Sequence, residues 1–311
     1  MIASVKEISD YLCNQGLTNC IEGNKGVSIT GFSSLLNYRP GTMTFVVPER
    51  QVKNYLSMNG EKVIDLIIMS PNEMIDDRFQ AVIRVNDPRK AFFEVVEHFF
   101  DKACDESITG ICSDPKSYFK QSYVSDKAIV GKNVKIGIGC IIEGNVEIGD
   151  NTEIHHNVVI RTGSKIGKNC TIFSGTIIGE RGFNYSMDES GTRHMLKHYG
   201  GVVIEDDVHI GDNCCIIQGA IDDTTIKRGA KLNTMVHVAH NVVIGENTVI
   251  TAPTHICGSV TIGCNCHVAA SVIRNQVSIG DNATLGLGCV VVNNVECGKT
   301  VVGNPAKPLN K

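Results

Sequence analysis

Tryptophan is missing from this sequence altogether, and aromatics make up only 5% of its 311 residues. With 42% of residues hydrophobic, the core must be largely aliphatic. Runs of lysine or arginine are also missing. At a net charge of −4 and a pI near 6.2, the chain carries no electrostatic footprint for nucleic acid. Acidic residues are equally dispersed, which excludes an acidic interaction tail. No apolar run approaches the roughly 18 residues of a membrane-spanning helix. The opening MIASVKEISDYL lacks the basic-then-apolar layout of a secretory signal. A cytoplasmic chain without a membrane span is the expectation. The 13 cysteines are odd in number and form no CxxC pair, and the adjacent Cys214 and Cys215 are poorly placed for a disulfide. They are read as reduced thiols used as small apolar fillers.

What is present divides into two halves of different grammar. Residues 1–115 read as a small mixed α/β domain. Ser4 is placed to cap a helix carrying Val5, Ile8, Tyr11 and Leu12 on one face. MTFVV (43–47), DLIIM (65–69) and AVIRV (81–85) read as short strands. Asp87-Pro88 opens a second helix with a broad stripe of Phe92, Phe93, Val95, Val96, Phe99 and Phe100. Residues near 101–120 are polar and read as a linker.

From residue 116 to 303 the pattern is a repeat of six. Isoleucine occupies positions 136, 142, 148, 154, 160, 166, 172 and 178, then 204, 210 and 216 after an interruption at 179–203. After a phase slip the series continues through Ile226, Leu232, Val238, Ile244, Ile250, Ile256, Ile262 and Val268. A second slip leads to Ile279, Leu285 and Val291. Glycine and Asx turns fall between them. Such a hexapeptide repeat predicts a parallel β-helix with the aliphatic residue inward, three hexapeptides to a coil. Residues 18 apart then stack about 4.8 Å from one another. Residues 304–311 form a short tail.

That coil period converts sequence distance into proximity. His240 falls in one column with Asp222 one coil before and Gly258 one coil after. The set suits acyl transfer. His240 can take a proton from an attacking amine, and Asp222 can orient the imidazole or hold the acceptor. The Gly258 N–H can meet the oxyanion of a thioester carbonyl, with glycine permitting close approach. By itself a histidine on such a surface is more often solvated or structural. His237 and His255 form a second column, which is either plain surface or a metal pair lacking an evident third ligand.

The runs IIGERGFNYSMDESG (177–191), VVIEDDVHIGDN, GAIDDTTI (219–226), VAHNVVIGEN and GSVTIG closely resemble the UDP-3-O-acylglucosamine N-acyltransferases of lipid A synthesis. ITGFSSLLNYRPGTMTFVV (29–47) and NDPRKAFFEVVEHFF (86–100) resemble that family's nucleotide-binding module, so the resemblance covers nearly the whole chain. It implies a left-handed parallel β-helix preceded by a small α/β nucleotide-binding domain. It also implies a homotrimer with active sites between adjacent prisms. It makes His240 the general base and Gly258 the oxyanion donor. It places Phe45, Asn184, Tyr185, Asp222 and Asp223 against the substrate, and His237 is kept as a further candidate contact.

Departures from the family pattern bear on the substrate. The uracil-stacking set keeps Phe45 but has Pro48 and Gln51 at its other positions. A second family histidine is replaced by Gln276, and the family's Asp-Arg-Gly becomes Ile217-Gln218-Gly219. The loop segment becomes RHMLKHY (193–199). The ending VVGNPAKPLNK looks like the tail of sugar acetyltransferases that use coenzyme A. Arg274, Gln276, Lys299 and Lys307 are then the candidate contacts of that co-substrate.

The expected activity is acyl transfer, of the EC 2.3.1 type. Acetyl or a short hydroxyacyl group would pass from acyl-CoA to the amine of a nucleotide-linked amino sugar. A dTDP-4-amino-4,6-dideoxyhexose of the anthrose type is the preferred acceptor, serving surface glycan synthesis. No metal and no tightly bound cofactor are called for. The alternatives are a UDP-3-O-acylglucosamine N-acyltransferase using acyl carrier protein, a trimeric metal-dependent hydratase, and a non-catalytic sugar-nucleotide scaffold.

Overall fold

The computed structural model describes residues 2–17, 19–46, 63–72, 76–100, 122–305 and 307–308. The expected linker at 101–120 and the positions Pro48 and Gln51 lie outside the described residues. The chain divides into two compact units, Met1–Asp105 with Asn184–Lys197, and Glu106–Phe183 with His198–Lys311. Thus most of the interruption expected within the β-helix clusters with the first unit.

In the first unit, helix α1 (Val5–Asn14) starts at a capping box. The Glu7 N–H donates to Ser4 Oγ at 3.3 Å, and the Ser4 N–H donates back to Glu7 Oε2 at 2.7 Å. Val5, Ile8 and Leu12 are buried, as their spacing requires. Helix α2 (Pro88–Val95) has Asp87 as its cap, with the Lys90 N–H donating to Asp87 Oδ1 at 2.9 Å, and continues into a π-helical turn at Val96–Phe100. A five-stranded sheet runs in the order Asn19–Gly23, Ala81–Val85, Leu66–Met69, Thr42–Phe45, Gly31–Phe32. Only the first pair is antiparallel. Asn19–Gly23 and Gly31–Phe32 lack the β-branched composition that marked the other strands. Residues Tyr185–Met187 and Arg193–Met195 add an antiparallel hairpin to this unit.

The second unit is a parallel β-helix with three faces, visited in turn along the chain. The first face starts at Tyr123–Val124, the second at Ile129–Val130 and the third at Lys135–Ile136. They contain nine, eight and ten strands. Among the described residues the only antiparallel pairing in these faces joins Thr300–Val302 to Lys307–Pro308. Most strands are two residues long, because one outward and one inward aliphatic residue fill a face before the chain turns. Ile142, Ile160, Ile178, Ile216, Val238 and Ile256 are all fully buried in succession on the first face.

Several devices hold the coils together. Asparagines adopt the left-handed conformation at the turns, with φ of 57° at Asn133 and 59° at Asn151, a region that asparagine tolerates better than other L-residues. Their amides form a ladder: Asn133 Nδ2 donates to Asn151 Oδ1 at 3.1 Å, and Asn151 Nδ2 donates to Asn169 Oδ1 at 3.3 Å. Inside, buried cysteine N–H groups donate to a hydroxyl one coil earlier, as Cys170 does to Thr152 Oγ1 and Cys266 to Thr248 Oγ1. Burial pushes the Cys140, Cys170, Cys214 and Cys266 thiols up, so these cysteines behave as small apolar fillers.

Strand pairing locates the phase slips. The register is 18 up to the pair Val159↔Ile177 and 38 at Ser164↔Val202, because twenty extra residues enter between Glu180 and Val202. It is 22 at Cys215↔His237 and 18 again at Thr225↔Val243, because four extra residues enter between Ile217 and Thr224. It falls to 17 at His255↔Val272, where one residue is lost after Val268.

The outward residues of the faces differ. On the first face the residues just before each inward aliphatic are Tyr123, Ile141, Val159, Ile177, Cys215, His237, His255, Val272 and Val290, a column with no acid, lysine or arginine. The second face carries Glu147 and Lys165, and the third Lys135, Glu153 and Lys231.

Candidate active site

The corner that follows the first face carries His240. Its imidazole lies on Gly258, one coil later. A Cβ built on Gly258 would stand 2.6 Å from His240 Cε1 and 2.7 Å from Nε2, so any larger residue there would displace the ring. The backbones of the two coils are also joined, the Ser259 N–H donating to the His240 carbonyl at 2.9 Å.

Asn241 sets the tautomer of that imidazole. The Ala220 N–H donates to Asn241 Oδ1 at 3.1 Å, and Asn241 Nδ2 donates to the Asp222 carbonyl at 2.9 Å. These two backbone groups fix which way the amide points. Its Oδ1, an acceptor, lies 3.1 Å from His240 Nδ1, so Nδ1 carries the proton and Nε2 holds the lone pair. Asn241 is itself anchored, its N–H donating to Thr224 Oγ1 at 2.9 Å. The four extra residues between Ile217 and Thr224 build this cradle. Asp222 acts in it through its main chain. The Asp223 carboxylate accepts from the Gly201 N–H at 2.6 Å.

At several equivalent turn positions the N–H two residues after the inward aliphatic is capped by a side chain from the next coil. Ile138 donates to His156 Nδ1 at 2.9 Å, Lys168 to Asp206 Oδ1 at 2.7 Å and Cys264 to Asp281 Oδ1 at 2.7 Å. Among the described residues nothing accepts from the Gly258 N–H. A bare donor thus lies beside a lone-pair nitrogen. This is the pairing that transfer of an acyl group demands: a base for the attacking proton and a donor for the oxyanion.

His237 and His255 pair across adjacent strands of the first face, three residues from this corner. Their rings stack with centroids 4.6 Å apart and planes 8° from parallel. Burial, and then the neighbouring His255, hold the His237 pKa below the ordinary histidine value. Among the described residues no group of three or more His, Cys, Asp or Glu is placed to hold a metal ion.

The remaining predicted residues fall in several places. Phe45 belongs to the first unit, where its ring packs on Phe92 at 4.7 Å and on Phe93 at 6.2 Å. Asn184 and Tyr185 belong to that unit too. Asn184 is buried, its Oδ1 accepts from Arg89, and its Nδ2 has no hydrogen-bond partner among the described residues. Arg274 and Gln276 are exposed on the His240 corner, one coil beyond Gly258, where the Gln276 N–H donates to the Gly258 carbonyl at 3.0 Å. Lys299 and Lys307 are exposed at either end of the last strands of the third face, so the four candidate co-substrate contacts do not form one cluster. A separate concavity on the third face, between Phe173, His209, Lys231, Asn233 and Val249, contains none of the predicted residues.

Sequence reasoning missed Asn241, Thr224 and His198. The signal for Asn241 was in plain view as the third letter of AHN. Those for Thr224 and His198 depended on a four-residue insertion and a long crossing, which no fixed period reveals.

Comparison with known proteins agrees with the repeat. A family profile described as bacterial transferase hexapeptide (six repeats) matches residues 127–162, and one described as the hexapeptide repeat of succinyl-transferase matches 276–302. A UDP-3-O-acylglucosamine N-acyltransferase of Wolinella succinogenes is 38% identical over 125 residues, 40% of this chain and 39% of that protein. One from Caulobacter sp. (strain K31) is 39% identical over 117 residues, 37% of this chain and 34% of that protein. The chain therefore matches well under half the length of these curated relatives. Among solved structures, a UDP-N-acetylglucosamine acyltransferase from Bacteroides fragilis superposes with a TM-score of 0.55 at 26% identity, covering 60% of this chain and 72% of that one. The enzyme of that name from Campylobacter jejuni gives a TM-score of 0.55 at 20% identity, over 61% and 73%, a likeness of fold. The chain is a hexapeptide-repeat β-helix protein with distant similarity, over about 40% of its length, to UDP-3-O-acylglucosamine N-acyltransferases.

Proposed function

We propose that this protein is an acyltransferase that moves an acyl group from a thioester to the amine of a nucleotide-linked amino sugar. The observation that carries the reading is the uncapped Gly258 N–H beneath an imidazole whose Nε2 is held as a base. The amine nitrogen attacks the thioester carbonyl, and His240 Nε2 takes the proton it sheds. The carbonyl oxygen becomes an oxyanion that the Gly258 N–H meets. Collapse breaks the C–S bond, and the thiolate leaves with the proton that His240 returns. The products are an amide and a free thiol.

For the acceptor, the similarity to UDP-3-O-acylglucosamine N-acyltransferases favours a UDP-linked acylated glucosamine; the donor in this reading is an acyl carrier protein thioester. A dTDP-linked 4-amino sugar with acyl-CoA is the second reading. It is favoured by the sequence changes at Pro48 and Gln51, where the resembled family has its other base-contacting residues. A homotrimer is part of the proposal, supported by the outward column of the first face that holds no acid, lysine or arginine.

The test is a thiol-release assay on the purified full chain, with product mass measured. It would compare UDP-3-O-acylglucosamine plus acyl carrier protein thioester with a dTDP-4-amino-4,6-dideoxyhexose plus acetyl-CoA or 3-hydroxybutyryl-CoA. Thiol release and an amide product are expected, falling by about 100-fold or more in His240→Ala. Absence of thiol release with every amine, or an undiminished rate in His240→Ala, would overturn the reading.

A further inference from the structure

A second imidazole reaches the His240 corner, and neither the repeat nor the acyl-transfer reading uses it. His198 stands on the limb that returns from the long insertion, yet it is only 5% exposed. Its Nδ1 lies 3.2 Å from the Gln218 carbonyl, which can only accept, so Nδ1 is the protonated nitrogen. Its ring meets the His240 ring edge to face, with centroids 5.5 Å apart and planes at 81°. Gly182 makes room for it, since a Cβ there would overlap His198 Cε1.

We propose that His198 is a positioning residue for His240. Asn241 holds the His240 ring at one atom, which sets the tautomer but leaves the ring able to swing about that bond. Gly258 closes one side of the ring, and the edge-to-face contact with His198 closes another. The tautomer and the ring plane are thus set by different residues. A general base is effective only while its lone pair points at the proton it will take, and small misplacements cost rate rather than affinity.

The limb has its own anchors, which separates the ring's role from that of the backbone. The Tyr199 N–H donates to the Ala220 carbonyl at 2.9 Å, Gly200 to Gly219 at 3.1 Å, and Thr224 back to Gly201 at 3.1 Å. The corner that cradles Asn241 therefore stays held when the His198 ring is exchanged.

The kinetic consequence rests on the acyl-transfer reading; the positional one does not. In His198→Gln, which can still donate to the Gln218 carbonyl, kcat for thiol release is expected to fall about tenfold, with KM for both substrates within about twofold. On the full chain labelled at histidine, 13Cε1 relaxation should show a rigid His240 ring in the wild type and a mobile one in the variant. His198→Phe, which restores a ring, should recover rigidity and part of kcat. A wild-type His240 ring that is already mobile overturns the proposal without any variant, as does a ring equally rigid in His198→Gln. If the wild type releases no thiol, the acyl-transfer reading fails while the relaxation result still decides the role of His198.

Discussion

At the scale of single residues, Gly258 is the most exacting position. Its φ lies outside the left-handed region, so the backbone itself would accept alanine. What a methyl group there would meet is the imidazole, 2.6 Å away. Gly258→Ala is therefore expected to leave the melting temperature within a few degrees while lowering thiol release by about 100-fold, because the N–H is kept but the methyl group pushes the imidazole out of place. A parallel loss of folding, read by circular dichroism, would contradict this account. The spacing of 18 made the contact between His240 and Gly258 legible in advance. The roles of Asn241 and Asp222 were not legible, because they depend on which atom of each residue is used. Asp222 contributes a carbonyl, where its residue type suggested a carboxylate.

At the scale of the coil, stability comes from inward aliphatic columns and from the polar groups that join one turn to the next. Ile244 is fully buried, with neighbours from the coil before and the coil after. Ile244→Ala should cost about 2–5 kcal/mol, the range for truncating a buried aliphatic side chain. Urea unfolding measures it, and a cost below about 1 kcal/mol would mean that the coils collapse around the gap. Element spacing was almost wholly legible, since one hydrophobic position in six marks every coil. The slips were visible as changes of phase. That one of them is a cradle for Asn241 depended on pairing across coils.

At the scale of the whole molecule, the difference between the faces is the main observation. An outward column that holds no acid, lysine or arginine over nine positions is not what solvent selects. Val159 points outward on it, while Glu147 and Lys165 occupy equivalent outward positions on the second face. Charge at such a position is therefore compatible with the coil. Val159→Glu is expected to leave the single chain folded but to shift light-scattering mass from trimer toward monomer. A wild-type monomer would remove the subunit-interface part of the proposal. An unchanged trimer in the variant would place the contact on another face.

The sequence by itself determined the repeat, the inward columns and the histidine worth testing. Each follows from local spacing, because a six-residue period leaves little freedom in where a side chain points. Only the tertiary structure decided that residues 184–197 cluster with the first unit, that the Gly258 N–H is bare, and that Asn241 and His198 flank the imidazole. Those features arise where the period breaks. There the positions of side chains depend on which backbone groups lie opposite after an insertion, and a pattern that repeats carries no record of that.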